Sequence, residues 1–184
     1  MNPYDQIYQK VNELNFKIKM IEEKVKEKSK NLEKRVKDMQ NRLKIVNKIK
    51  KRFPDGIYYG EFQKYNINRL GIFEWDNGEK YEGEWLNGIR NGIAVVYKSD
   101  GNICIGEFKE NKRNGFCIEE FPVLKYEGTC KNNSFCGTGI IIFNNGNKYN
   151  GQMYNSTFND FGKIIAKEKI YFIGEFKNGY RYKG

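Results

Sequence analysis

A glycine returns on a fixed period through the last two-thirds of this 184-residue chain. The positions are Gly60, Gly83, Gly106, Gly128, Gly151 and Gly174, separated by 23, 23, 22, 23 and 23 residues. Two residues before them stand Tyr58, Tyr81, Cys104, Tyr126, Tyr149 and Phe172. Four of the glycines are followed by glutamate and an aromatic: Glu61-Phe62, Glu84-Trp85, Glu107-Phe108 and Glu175-Phe176. A second glycine group trails each first one, at Gly71, Gly92, Gly115, Gly137 with Gly139, and Gly162. An aromatic often comes next (Trp75, Tyr97, Phe121, Phe143), and then a turn such as Asp76-Asn77-Gly78, Ser99-Asp100-Gly101 or Asn144-Asn145-Gly146. A short period punctuated by turn residues demands a stack of hairpins, each burying its face against the next.

Strand side chains alternate between faces. Tyr58, Gly60 and Phe62 therefore share one face, with Tyr59 and Glu61 on the other. In the following strand Gly71, Phe73 and Trp75 share a face. Each glycine leaves a notch that an aromatic ring can cover, which buries ring surface on a thin sheet. The Asp-Asn-Gly and Asn-Asn-Gly segments suit tight hairpins. The expectation is a single-layer, elongated antiparallel sheet of six hairpin units over residues 53–184, the last truncated.

The unit Tyr81-Glu82-Gly83-Glu84-Trp85-Leu86-Asn87-Gly88-Ile89-Arg90-Asn91-Gly92 and its five relatives resemble the membrane occupation and recognition nexus (MORN) repeat. The resemblance covers residues 56–184. Some positions depart from the pattern: Cys104 replaces the first aromatic of unit three, and Thr129-Cys130 and Gln152-Met153 replace Glu-aromatic in units four and five. Arg69 and Asp160 stand where a glycine is expected. Units four and five are therefore expected to bend or open the sheet.

Residues 1–52 have another character. They hold 16 Lys/Arg against 7 Asp/Glu, a net of +9, whereas residues 53–184 hold 17 against 16, a net of +1. There is no glycine before Gly56. Asn2 is placed to cap a helix, Pro3 to start it and Asp5 to face its positive end. Apolar residues recur in steps of three and four at Ile7, Val11, Leu14, Ile18, Ile21 and Val25. They resume at Leu32, Val36, Met39, Leu43 and Val46. This is a coiled-coil seam with a phase shift at Lys28-Ser29. The pattern predicts a basic helix over residues 1–52, a rod of roughly 70 Å that ends at Pro54-Asp55-Gly56. A small sheet would not be expected to bury such a rod, so the seam is read as a binding face for a helical partner. Phe16 and Met20 form a second apolar face on the opposite side.

Composition removes several function classes. The chain has no His, the commonest general base and metal ligand. Cys104, Cys117, Cys130 and Cys136 contain no C-x-x-C pair, so zinc binding is disfavoured, and the four are read as reduced, half-buried thiols. Free thiols and the absence of a signal-peptide pattern point to a reducing compartment. No phosphate loop or nucleophile–base pair is visible, and the repeat glutamates are read as a solvated row. The expectation is a non-enzyme without cofactor or metal, with no nucleic-acid or small-molecule ligand. Partners are other protein subunits: a helix for residues 1–52, and a helix or peptide on the aromatic face of the sheet. The positive helix also suits an acidic protein surface or anionic lipid. Resemblance to MORN proteins implies a cytoskeletal scaffold, with ciliary and radial-spoke subunits among similar chains. An Asn-, Lys- and Ile-rich composition similar to that of ciliate-like protists leans the same way. The alternatives are a peripheral membrane tether or an accessory subunit of a larger, mitochondrial enzyme complex.

Overall fold

Each period of the repeat folds into two antiparallel strands, and the strands join in chain order without a crossover. The computed structural model describes residues 2–46, 48–63 and 66–183. A helix, α1 (Pro3–Ile45), comes first. Thirteen strands follow: β1 (Ile49–Phe53), β2 (Gly56–Gln63), β3 (Asn66–Trp75), β4 (Lys80–Leu86), β5 (Ile89–Tyr97), β6 (Ile103–Lys109), β7 (Lys112–Glu120), β8 (Leu124–Lys131), β9 (Ser134–Phe143), β10 (Lys148–Tyr154), β11 (Thr157–Ala166), β12 (Lys169–Lys177) and β13 (Tyr180–Lys183). They form one open sheet ordered β1 to β13, antiparallel throughout.

Two kinds of turn alternate. Within a unit the link has two residues, both at positive φ: Asn87-Gly88, Glu110-Asn111, Asn132-Asn133, Asn155-Ser156 and Asn178-Gly179; Lys167-Glu168, of the same kind, joins β11 to β12, one unit to the next. Paired positive φ marks the type I′ turn, whose twist matches that of the flanking strands. The Asp-Asn-Gly and Asn-Asn-Gly segments instead link one unit to the next, with Gly78, Gly101 and Gly146 at positive φ. The two-residue turns also join laterally. Asn111 N–H donates to Arg90 O, Asn133 N–H to Arg113 O and Ser156 N–H to Phe135 O, at 3.0, 3.1 and 2.9 Å.

The helix begins as the sequence foretells. Asn2 caps it, its side-chain oxygen accepting from the Tyr4 N–H at 3.1 Å, and Asp5 lies in the first turn. The end differs. The helix stops at Ile45, and Val46 is extended, its N–H donating to Arg42 O. Residues 49–53, expected as helix, pair with β2 as strand β1. Pro54-Asp55 is thus the turn of a hairpin, not a helix stop. Without β1, the outer edge of β2 would leave a row of backbone donors and acceptors unpaired.

The larger correction concerns the seam. The helix does not stand free; it lies across one face of the sheet, touching every strand from β3 to β12. Ile18, Ile21, Val25, Leu32, Val36, Met39 and Leu43 are all buried, and most of them pack with Leu70, Ile93, Val95, Phe116, Ile118 and Ile140. Val46 packs at the margin, Val11 and Leu14 are half-buried, and Ile7 remains exposed. A heptad-like seam is thus covered by the chain's own strands. The match is metric: a hairpin advances about 9.6 Å along the sheet, and six helical residues rise about 9 Å. The residues that occupy the phase shift have a use. Ser29 is buried, and its hydroxyl donates to Glu127 Oε2 at 2.7 Å.

Polar contacts repeat along the same contact line. Lys163 and Asn150 meet Glu22, Arg35 meets Glu107 at 2.6 Å, and the Gln40 amide donates to Glu82 at 3.1 Å. The acidic surface that the basic helix suits is supplied partly by the strands themselves. Leu32→Ala should cost about 2–5 kcal/mol through the cavity left between helix and sheet, whereas Phe16→Ala, on the exposed side, should stay within about 0.5 kcal/mol. Urea unfolding followed by tryptophan fluorescence reads both.

Candidate functional site

With one face covered by α1, the other face is the surface left to bind. It is built on the periodic tyrosines. Tyr58, Tyr81, Tyr126 and Tyr149 are fully buried, each lying along its own strand. Their hydroxyls donate to the carbonyl three residues on: Tyr58 to Glu61, Tyr81 to Glu84, Tyr126 to Thr129 and Tyr149 to Gln152, at 3.1, 2.8, 2.8 and 2.6 Å. The glycines explain why the rings fit. Gly60 pairs with Gly71, Gly128 with Gly139 and Gly151 with Gly162 across neighbouring strands. A Cβ on any of these six would collide with the Tyr58, Tyr126 or Tyr149 ring or with the facing backbone. Each of these three rings therefore covers a pair of notches, one on its own strand and one opposite, whereas in the unit of Tyr81 the position opposite Gly83 is filled by Ala94.

The departures follow the same steric rule. In unit three the ring is lost to Cys104, and the facing glycine is replaced by Cys117, opposite Gly106. A smaller cover accompanies a filled notch. The space near Cys104 takes a polar group: Glu119, buried, faces Cys104 across the strands and is paired with Arg113 and with Lys98 at 2.9 Å. The expected reading of four free thiols is corrected here. Cys117 and Cys130 form a disulfide between β7 and β8, their Cα atoms 6.1 Å apart. The register places each opposite a glycine, Gly128 and Gly115, so both sulfur atoms have room on the same face. The argument from free thiols to a reducing compartment loses its premise. Cys104 is buried and Cys136 partly buried, both unbonded.

The repeat glutamates also change role. After each first glycine the strands slip register, and the second strand carries a bulge. The bulged residue has positive φ at Arg69, Gly92, Gly115, Gly137 and Asp160. The freed amide beyond it is caught by a carboxylate: Ile93 N–H donates to Glu84 at 2.8 Å and Phe116 N–H to Glu107 at 3.1 Å. These glutamates satisfy a strained backbone rather than line a solvated row. Arg69 and Asp160 do not open the sheet; they adopt the glycine conformation in place.

Outside the tyrosines lies a second ring layer. Trp85, Phe108 and Phe176 are buried; Phe62 and Trp75 are half-exposed. Packing is edge-on or stacked, as in Tyr81–Trp85 at 4.7 Å and Tyr126–Phe135 at 3.8 Å between centroids. The surface is therefore not a bare platform of tyrosines but a filled layer with a rim of half-exposed rings. Near its N-terminal end, Phe53, Phe73, Trp75, Trp85 and Arg90 bound a shallow groove of about 490 Å³. The Arg90 guanidinium lies 5.9 Å from the Trp75, Tyr81 and Phe108 rings. Aromatic pockets holding an arginine are what binding hot spots are made of. Phe53 and Arg90 were not among the residues that the repeat pattern singles out. Phe16 and Met20 are exposed on the outer side of α1, away from this groove. No cluster of metal-ligating side chains is gathered among the described residues.

The MORN repeat family model matches residues 58–80, 81–103, 104–123 and 126–148, four successive repeats. The hairpin of β10 and β11 repeats their geometry further along the chain. Alsin of Rattus norvegicus is 24% identical over 106 residues, 52% of this chain and 6% of that protein. The ALS2 C-terminal-like protein of Homo sapiens is 28% identical over 90 residues, 46% of this chain and 9% of that protein. The chain thus spans less than a tenth of the length of either relative. MORN-repeat proteins are generally non-catalytic adaptors that bind proteins or membranes. No helix among the described residues is long and apolar enough to cross a membrane.

Two outcomes are expected of the notch chemistry. Gly139→Ala should destabilise by about 1–3 kcal/mol, because its Cβ would press on the Tyr126 ring; denaturant midpoints measure this. Burial pushes the four phenols well above their ordinary value near 10, with Glu61 and Asp160 adding to the effect at Tyr58 and Tyr149. A raised folded value means that the native state favours the neutral phenol. Stability from this source is whole below pH 10 and is lost as pH climbs past it. The urea midpoint should hold from pH 7 to 9 and fall between about pH 10 and 12, less steeply in Tyr81→Phe/Tyr126→Phe.

Proposed function

We propose that this chain is a structural adaptor whose aromatic face docks a partner protein, with α1 serving as an internal stiffener. The observation that carries this reading is the division of the two faces. The aliphatic face is covered by the seam of α1, while the opposite face keeps Phe53, Phe62 and Trp75 half-exposed, Phe53 and Trp75 bounding a groove with Arg90. A helix or extended peptide would bury these rings and stack on the guanidinium. The similarity of the four repeats to adaptor modules supports the same conclusion. The seam residues expected to meet a helical partner support folding instead, and docking passes to the ring face.

A membrane reading has one observation in its favour. Exposed Phe16 and Met20 lie on the outer face of α1 with Lys19 and Lys24 one turn away, alongside Glu13 and Glu23, and apolar residues with lysines among them are what anionic bilayers attract. Native purification with identification of bound proteins separates the two. Trp75→Glu/Arg90→Glu should lose the partner while the circular dichroism and melting of the chain stay near wild type. Phe16→Glu/Met20→Glu should keep it. The reverse pattern, joined to flotation of the wild-type chain with phosphatidylserine vesicles that Phe16→Glu/Met20→Glu abolishes, would overturn protein docking in favour of lipid.

A further inference from the structure

An arginine stands at the same place in two successive units, and the two are partnered differently. Arg90 lies opposite Trp85 and Arg113 opposite Phe108, at corresponding positions of β5 and β7. Both are tied to the turn of the following hairpin in the same way. The Arg90 N–H donates to Asn111 Oδ1 at 2.9 Å, and its Nη2 to Asn111 O at 3.1 Å. The Arg113 N–H donates to Asn133 Oδ1 at 2.8 Å, and its Nη2 to Asn133 O. Each guanidinium is held from one side and keeps donors to spare.

The units differ in what meets those donors. Arg113 is ion-paired with the buried Glu119. It reaches that carboxylate because Cys104, opposite Glu119, leaves open the channel that a tyrosine ring fills in other units. In the preceding unit Tyr81 is present and fully buried, and Val96 stands where Glu119 does. Arg90 is therefore held above the rings, its guanidinium 5.9 Å from the centroids of Trp75, Tyr81 and Phe108. It has no carboxylate partner among the described residues, and its Nη1 makes no hydrogen bond among them. Asp55, which also bounds the groove, does not pair with it. A guanidinium walled by rings is partly stripped of water, so a carboxylate gains more by meeting it than by meeting a fully solvated cation.

We propose that Arg90 takes an aspartate or glutamate side chain from the segment that docks in the Trp75 groove. The partner thereby completes in unit two the pair that Glu119 completes inside unit three. The proposal rests on the ring face being the docking face, and it names what the occupant carries: a carboxylate among apolar residues that cover Phe53 and Trp75. Asp55, at the turn between β1 and β2, repels a carboxylate on its side of the groove, which leaves the Arg90 side for the acid.

The test titrates the ¹⁵N-labelled full chain with acetyl-Leu-Pro-Glu-Leu-Pro-amide and with its Gln counterpart. The indole N–H signals are two, from Trp75 and Trp85, and are followed together with the Arg90 Nε–H. The Glu peptide is expected to shift the Trp75 and Arg90 signals and to bind about tenfold more tightly than the Gln peptide, a preference that shrinks as salt rises. Arg90→Gln should bring the Glu peptide down to the affinity of the Gln peptide and leave the latter unchanged. Lys24→Gln, at an exposed site of α1, should change neither. The proposal is overturned if the two peptides bind equally, if the preference survives Arg90→Gln, or if neither peptide shifts the Trp75 indole. Equal binding that Trp75→Glu abolishes would remove the carboxylate alone and leave the ring face as the docking surface.

Discussion

A thin sheet has two faces and a small protein has little with which to cover them. Here the contact between the seam of α1 and the aliphatic residues of the second strands covers one face along most of its length. The rest of the arrangement depends on that contact. It holds a helix whose sequence is too basic to bury itself alone, and it leaves the ring face as the side on which partners can act. The pairs Arg35–Glu107 and Ser29–Glu127 then set the sliding position of helix on sheet, since each joins one helical position to one repeat. The exposed ion pair contributes little energy, but both contacts fix register where aliphatic contacts alone would permit a shift.

The ring face is governed by a complementary rule. In the units headed by Tyr58, Tyr126 and Tyr149 a glycine lies opposite the first glycine, whereas Ala94 holds that position in the unit of Tyr81 and Cys117 in the unit of Cys104. The notch can thus be filled by a small side chain, with the ring kept at Tyr81 or lost at Cys104, and the strands stay paired. The same holds at the bulge, where a carboxylate such as Glu84 serves the amide left over by the slip in register.

The sheet was legible in the sequence because its signals are local. Tyr-x-Gly at strand alternation and Gly at turn positions state their geometry within a few residues, and the hairpin stack follows. The helix was legible as an element but not in its destination. Ile18, Val25 and Leu32 give a seam, and a seam is equally satisfied by a foreign helix or by strands more than a hundred residues later in the same chain. What would have favoured the second is the aliphatic run on the opposite side of the repeats from the rings, at Leu70, Ile93, Val95, Ile118 and Ile140, which needs a cover of its own. The end at Ile45 was illegible for a similar reason: Ile49–Phe53 carries no turn signal before it, and only the demand of an unpaired β2 makes it a strand. The Cys117–Cys130 bond depends on a diagonal relation between strands that residue spacing does not reveal. Phe53 precedes the repeats, and Arg90 recurs in register only as Arg113 of the next unit, so their meeting in the groove is a matter of spatial convergence.

The helix laid crosswise over ten strands also has a mechanical meaning. A single sheet bends readily about an axis parallel to its strands, because that flexure only opens and closes the angle between neighbours. A rod bonded at right angles to those hinges turns the sheet into a laminate, in which flexing requires stretching the rod or shearing the glue line. Binding spots spaced along the uncovered side are thereby kept at constant separation, as marks on a ruler are. Such a part serves an assembly by gauging distance as much as by adhesion.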